Sequence, residues 1–414
     1  MQPQHSVLAM LPARFPATQA SPLSLITPMP AATASAPLAP PDYDPHADAG
    51  VEWPTWLVCL AIYGGWLGAL SWYRADSSMW ALVLIVVLAA WYMSLQHELV
   101  HGHPTQYAWL NRALGLLPIA VWYPFDIYRS SHLAHHRDEV LTYPGQDPES
   151  NYLDPEDFAS RSAPLRFLLR AQRTALGRFA ITPAFAIFHL LHPLLSKAYW
   201  ESARLRWTWI QHALLLVLML WALQSYAGIS PGLYLALSYP CLGLAFMRSF
   251  YEHRPAADPQ HRIVINEAGW LGCLLYLNNN YHAVHHAQPK LAWYRLPVLY
   301  RAHRDFFLQR NGGYLLQGYG RFFVRHAVRP LDTPGQQTRH LDASYRHLAG
   351  ALRKWHCPCT WARPMRCKTF GCICARLCVR RVCRVCPRRL FGHKIYMRIG
   401  CRRTCCSAKR AATL

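Results

Sequence analysis

The sequence predicts an all-α integral membrane protein, with about four transmembrane helices and a cytoplasmic helical cap that carries clustered histidines. Three observations carry this expectation. Several apolar stretches approach the roughly twenty residues needed to cross a bilayer. Tryptophan and tyrosine crowd the ends of those stretches, as expected at a membrane–water boundary. Three short histidine clusters begin just outside apolar segments. The composition agrees: 52% of the 414 residues are apolar and only 15% are charged, which argues against the two soluble domains that the length alone would allow.

The four expected spans run from about Trp53 to Trp72, Met79 to Leu95, Trp207 to Leu223 and Leu233 to Phe250. Two further apolar stretches, Tyr107 to Phe125 and Ile181 to Trp200, contain many proline and polar residues and read as interfacial or re-entrant. The turns Arg74 to Ser78 and Gln224 to Gly232 are short, and the second has no charge. The segment between the second and third spans carries eleven Lys or Arg between Arg112 and Arg206. The region after the fourth span is also rich in Arg. The positive-inside rule puts both on the cytoplasmic side. All three histidine clusters then share that face, although they played no part in choosing the spans.

The clusters are His97-Glu98-Leu99-Val100-His101, His132-Leu133-Ala134-His135-His136 and His282-Ala283-Val284-His285-His286. Residues three and four apart share a helical face. Each cluster thus predicts imidazoles pointing one way: a pair in the first, three in each of the others. Neutral imidazole is the commonest side-chain metal ligand and suits iron, copper, zinc or nickel. Eight such ligands are too many for one ion and enough for two. A transporter reading would require ionisable groups within the spans, and these segments almost lack them.

The three clusters, their order and the long gap before the last resemble the membrane fatty acid desaturases and the related hydroxylases and carotenoid-modifying oxygenases. The third cluster strengthens the likeness. It lies within Asn278-Asn279-Asn280-Tyr281-His282-Ala283-Val284-His285-His286 and is followed by Trp293-Tyr294-Arg295-Leu296-Pro297, similar to the bacterial desaturase-like branch. The resemblance covers roughly residues 53 to 310. It implies a non-haem pair of iron ions with O2 as oxidant. The implied ligands are His97, His101, His132, His135, His136, His282, His285 and His286, with His253 in Tyr251-Glu252-His253-Arg254-Pro255 as a ninth. His103 is a rival in the first cluster but does not share a helical face with His97. His189, His192, His212, His261, His303 and His326 read as structural or surface residues. Glu98, Asp138, Glu139 and Glu252 are candidate partners for the ligands' outer ring nitrogens.

The function implied is desaturation of a fatty acyl chain in the membrane, the alternative being a hydroxylase or ketolase of a carotenoid or other hydrocarbon. No dinucleotide-binding glycine motif is present, so an external electron donor, a ferredoxin or similar carrier, is expected to dock on the Arg-rich face.

The chain ends differ from this core. Residues 1–50, rich in Pro, Ala and Ser, read as a disordered extension rather than a signal peptide. The membrane domain is expected over residues 51–335. In the basic tail, residues 336–414, the stretch from Ala351 holds eleven of the fourteen cysteines and seventeen Lys or Arg without one acidic residue. The remaining 350 residues carry twenty-six basic against twenty-one acidic groups. The formal charge of +22 is therefore mostly the tail's and is no argument for nucleic-acid binding by the domain. Cys383 and Cys386 have zinc-ligand spacing, and Cys378, Cys383 and Cys386 fit a plant-type ferredoxin run. The favoured reading is a segment with no selected fold, as an out-of-frame reading of a GC-rich gene would give.

Overall fold

The computed structural model describes residues 50–335, apart from 138 and 139. The expectations for the N-terminal extension, for the cysteine-rich tail and for Asp138 and Glu139 lie outside the described residues.

Two long helices, α1 (Trp53–Asp76) and α2 (Met79–His101), form a hairpin. Pro54 stands in the first turn of α1, where its missing N–H costs no hydrogen bond. Ser77 closes the helix in the left-handed region, φ 54°. Short α3 (Ala108–Gly115) and α4 (Phe125–His135) follow, and α4 packs on α2. Next come α5 (Pro155–Ser160), α6 (Ala163–Ala171), α7 (Ala175–Ala180) and α8 (Thr182–Leu191). A second hairpin joins α9 (Ala203–Ala227) to α10 (Pro231–Ser249) through Gly228, φ 70°. The side chain of Ser230 caps α10 by accepting from Leu233 N–H.

Among the described residues, four stretches are long and apolar enough to cross a membrane: Trp53–Asp76, Met79–His101, Ala175–Leu195 and Ala203–Ala227. Three match the expected spans. The fourth is a correction. The stretch around Ile181 was expected to be interfacial because of its prolines. However, Pro183 falls in the first turn of α8 and Pro193 in the first turn of the 3-10 helix His192–Leu195, where proline does not break a helix. The expected fourth span is helical, as α10. It is less apolar, since Pro240, Ser238, Tyr234, Tyr239 and the two glycines Gly232 and Gly243 interrupt it, and it packs against α2, α7, α8 and α9.

One core joins α1, α2, α9 and α10 around Ile62, Tyr92, Leu95, Met219 and Cys241. The indole of Trp66 donates to Tyr234 Oη at 3.1 Å, tying α1 to α10. A second core lies under α12 (His282–Ala287), α13 (Leu296–Ala302) and α14 (Arg304–Arg310), built on Val284, Leu296, Tyr300 and Phe307. Helix α11 (Trp270–Leu275) packs on α2. A two-residue parallel pairing, Ile265–Asn266 with Leu315–Leu316, closes the cap ahead of α15 (Tyr319–Arg325). The ends of α2, α4 and α10 and the whole of α12 thereby meet in one place.

Candidate metal centre

All nine expected histidines converge there, in two groups. His97, His101, His132, His136 and His285 form one; His135, His253, His282 and His286 form the other, with the donor atoms of each group within 4.8 Å of one another. The clusters are thus not three separate faces. The second sends His132 and His136 to the first group and His135 to the other. The third sends His285 to the first group and His282 and His286 to the other. One turn of helix spreads three imidazoles over a wide arc, so α4 and α12 each serve both groups.

The inner nitrogens stand as metal ligands do. His132 Nε2 is 3.0 Å from His101 Nε2 and 3.1 Å from His136 Nε2, and His285 Nε2 is 3.1 Å from His136 Nε2. In the second group, His253 Nε2 is 2.9 Å from His135 Nε2 and 3.0 Å from His282 Nε2. With metal–nitrogen bonds of about 2.1 Å, ligands at right angles have nitrogens about 3.0 Å apart.

Several outer nitrogens are held by oxygens of the protein. His135 Nδ1 lies 2.8 Å from Asp147 Oδ1, His132 Nδ1 3.2 Å from Glu149 Oε1 and His282 Nδ1 3.1 Å from Asn279 Oδ1. An oxygen that accepts the Nδ1 proton leaves Nε2 as the nitrogen that can ligate. His97 Nε2 is buried with no hydrogen-bond partner, a cost that a bound ion removes. The donor set therefore fits a pair of ions that accept imidazole.

Electrostatics agree. Burial, reinforced by neighbouring imidazoles, holds His132, His136, His253, His282, His285 and His286 well below the usual histidine range. They stay neutral and able to ligate. His135 is the exception: burial pulls it down, but Asp147 and Glu149 outweigh burial and push it up to about 9.

Of the expected carboxylates, Glu98 touches His97 Nδ1 at 3.3 Å and accepts from Trp293 N–H at 3.0 Å. The residues trailing the third cluster are thereby tied to the first. Glu252 lies 3.8 Å from His282 Nδ1 and 3.2 Å from Arg248 Nε. Asp147, Glu149 and Asn279 escaped the sequence reading. The first two sit in an irregular loop with no period, and their only signal is a pair of acids flanking Pro148 after the second cluster. His103 stays outside both groups, its Nδ1 2.7 Å from Glu52 Oε1. His212 donates through its ring to the Val121 carbonyl at 2.7 Å, as a structural residue would.

A cavity of about 120 Å³ opens beside the second group. His135 and His253 line it, and no histidine of the first group does.

The sequence model of the fatty acid desaturases matches residues 77–318, which contain every one of these histidines. The chain belongs to the fatty acid desaturase family. Among curated proteins it is similar to the Delta(12) fatty acid desaturase fat-2 of Caenorhabditis elegans, 29% identical over 102 residues. That match covers 24% of this chain and 24% of the nematode protein, so the chain spans about a quarter of that relative's length. Family membership and the four apolar stretches make this a membrane protein.

Proposed function

We propose that the protein carries out O2-dependent desaturation of an acyl chain in the membrane, using two iron ions held by the nine histidines. The observation that carries the reading is the pair of buried imidazole groups whose inner nitrogens stand 2.9–3.1 Å apart at the ends of apolar helices. His97, His101, His132, His136 and His285 would hold one ion, and His135, His253, His282 and His286 the other. Bound there, the iron pair supplies the reduction of O2 coupled to oxidation of an unactivated C–H bond, chemistry that no side chain provides.

The chain's own residues do the rest. Asp147, Glu149, Asn279 and Glu98 orient the rings. The cavity admits a substrate beside the four-histidine group, where fewer protein ligands leave more room for a reacting molecule. Two electrons and two protons per turnover come from outside, since no nicotinamide or flavin signature is present, and a ferredoxin or similar small carrier is the expected donor. The seven basic residues from Arg112 to Arg173, ahead of the stretch Ala175–Leu195, support a cytoplasmic placement of the histidine face and suit an acidic carrier.

Lipid mass spectrometry of cells expressing the chain tests this reading, with His285→Ala as control. New double bonds in acyl chains, absent in the variant, are expected, together with about two irons per chain. Oxygenated products with unchanged unsaturation would indicate the hydroxylase or ketolase chemistry instead. Zinc alone, or no metal, would overturn the assignment.

A further inference from the structure

A channel built only for an alkyl chain should be apolar, because a polar group buried against methylene groups loses its hydrogen bonds and costs free energy. The cavity beside His135 and His253 is not built that way. Met93, Ile127 and Phe246 supply apolar wall, but Arg248, Tyr128 and Ser131 line it too, with the acids Asp147, Glu149 and Glu252 on the side of the histidines they hold or approach. Ser131 Oγ is buried with no hydrogen-bond partner. The guanidinium of Arg248 is largely buried and meets Glu252 through Nε at 3.2 Å. Among the described residues neither of its Nη groups makes a hydrogen bond. Water can serve these groups while the cavity is empty of substrate. An alkyl segment would displace that water without replacing its bonds, whereas an oxygen on the substrate would replace them.

Position makes the polar wall relevant to the reaction. Glu252 touches both Arg248 and His282, so the guanidinium stands one carboxylate away from the four-histidine group. We propose that the substrate presents a carboxylate or carbonyl oxygen to Arg248, with Ser131 and Tyr128 as supporting donors. The oxidised C–H bond then lies within a few carbons of that oxygen, not in the middle of a long unsubstituted chain. This inference rests on the oxidative reading given above.

The test uses the full-length, iron-loaded protein in phosphatidylcholine nanodiscs, with empty discs as background. Equilibrium binding of radiolabelled octanoate, methyl octanoate and octane is compared. At least about tenfold tighter binding of one or both oxygen-bearing probes than of octane is expected, as for a site with buried donors awaiting an acceptor. Octanoate alone would identify a free acid; both together would identify the carbonyl. Arg248→Gln should abolish the preference. The milder pair Tyr128→Phe and Ser131→Ala should weaken it at unchanged iron content, which guards against a misfolded Arg248 variant. Equal binding of octane, or a preference that survives in all these variants, would overturn the inference. Iron is measured on the same samples. Preference without iron sinks only the oxidative assignment; iron without preference sinks only this one.

Discussion

Asp147 Oδ1 lies 2.8 Å from His135 Nδ1, in a contact buried on both sides. The carboxylate fixes the imidazole tautomer and turns Nε2 toward His253 Nε2, 2.9 Å away. The same carboxylate accepts from the backbone N–H of Thr142 and of Glu149 at 2.9 Å, so the loop holds the acid as firmly as the acid holds the ring. Such partners typically contribute 10–100-fold to metal affinity. Asp147→Ala should lose about that much iron affinity at the four-histidine group, while Asp147→Asn, which keeps an acceptor oxygen, should lose less. Iron titration of the metal-free variants reads this directly.

The same contact sets a pH dependence. His135 titrates at about 9 in the metal-free fold, above its ordinary value of 6.5. A raised value means that the folded chain holds the proton more tightly than the unfolded chain. The resulting stability is fully present below pH 6.5 and is lost as pH rises through about 9. Iron must displace that proton. Iron affinity should therefore rise between pH 6.5 and 9 and flatten above, and Asp147→Ala should shift the rise to lower pH. A flat affinity across that window would contradict the role given to Asp147.

His103 is the discriminating control for the ligand set. It sits two residues beyond His101, yet it pairs with Glu52 and joins neither group. His103→Ala should leave about two irons per chain, whereas His101→Ala should lower the count. Loss of iron in His103→Ala alone would move the first centre.

The histidine clusters were legible because i, i+3 and i+4 spacing survives from sequence to helix, and because α2, α4 and α12 are indeed helical there. Which ring serves which group was not legible. The division of His132 and His136 from His135 depends on how α4 packs against its neighbours, a tertiary fact. Asp147 and Glu149 were invisible for a related reason: a loop has no period to read. The stretch from Ile181 reads as interfacial because composition counts a proline wherever it stands, while the helix tolerates Pro183 in its first turn. Glu98 was found by adjacency to His97, but its grip on the Trp293 N–H, which links chain positions nearly two hundred residues apart, needed the fold.

Asp332 carries the described C-terminal segment back to the domain. Arg173 Nη2 donates to its Oδ2 at 2.8 Å and Tyr152 Oη at 2.6 Å, with Arg173 nearly inaccessible. Breaking a buried pair leaves the other charge without compensation, at a cost of about 3–5 kcal/mol. Partial exposure of Asp332 places the expected loss toward the lower end. Asp332→Ala should lower the apparent thermal midpoint in detergent clearly, and Asp332→Asn should fall between it and wild type.

The closest approach of α10 to α7 depends on Gly243. A Cβ there would stand 2.6 Å from the Phe179 carbonyl oxygen and 2.8 Å from its ring. A backbone carbonyl cannot rotate away, so the helices must part, and overpacking of this kind costs about 1–3 kcal/mol. The displacement would not stay local, because α10 ends at Ser249 and the chain continues directly to Arg248's partner Glu252 and to His253. Gly243→Ala should therefore lower both the thermal midpoint and the iron bound with His253. Gly232, in the first turn of the same helix, has nothing within 4 Å of its would-be Cβ. Gly232→Ala should be neutral or stabilising by up to about 1 kcal/mol, with iron content unchanged. If the two substitutions behave alike, helix propensity rather than close packing governs α10, and the link from this contact to the metal centre fails.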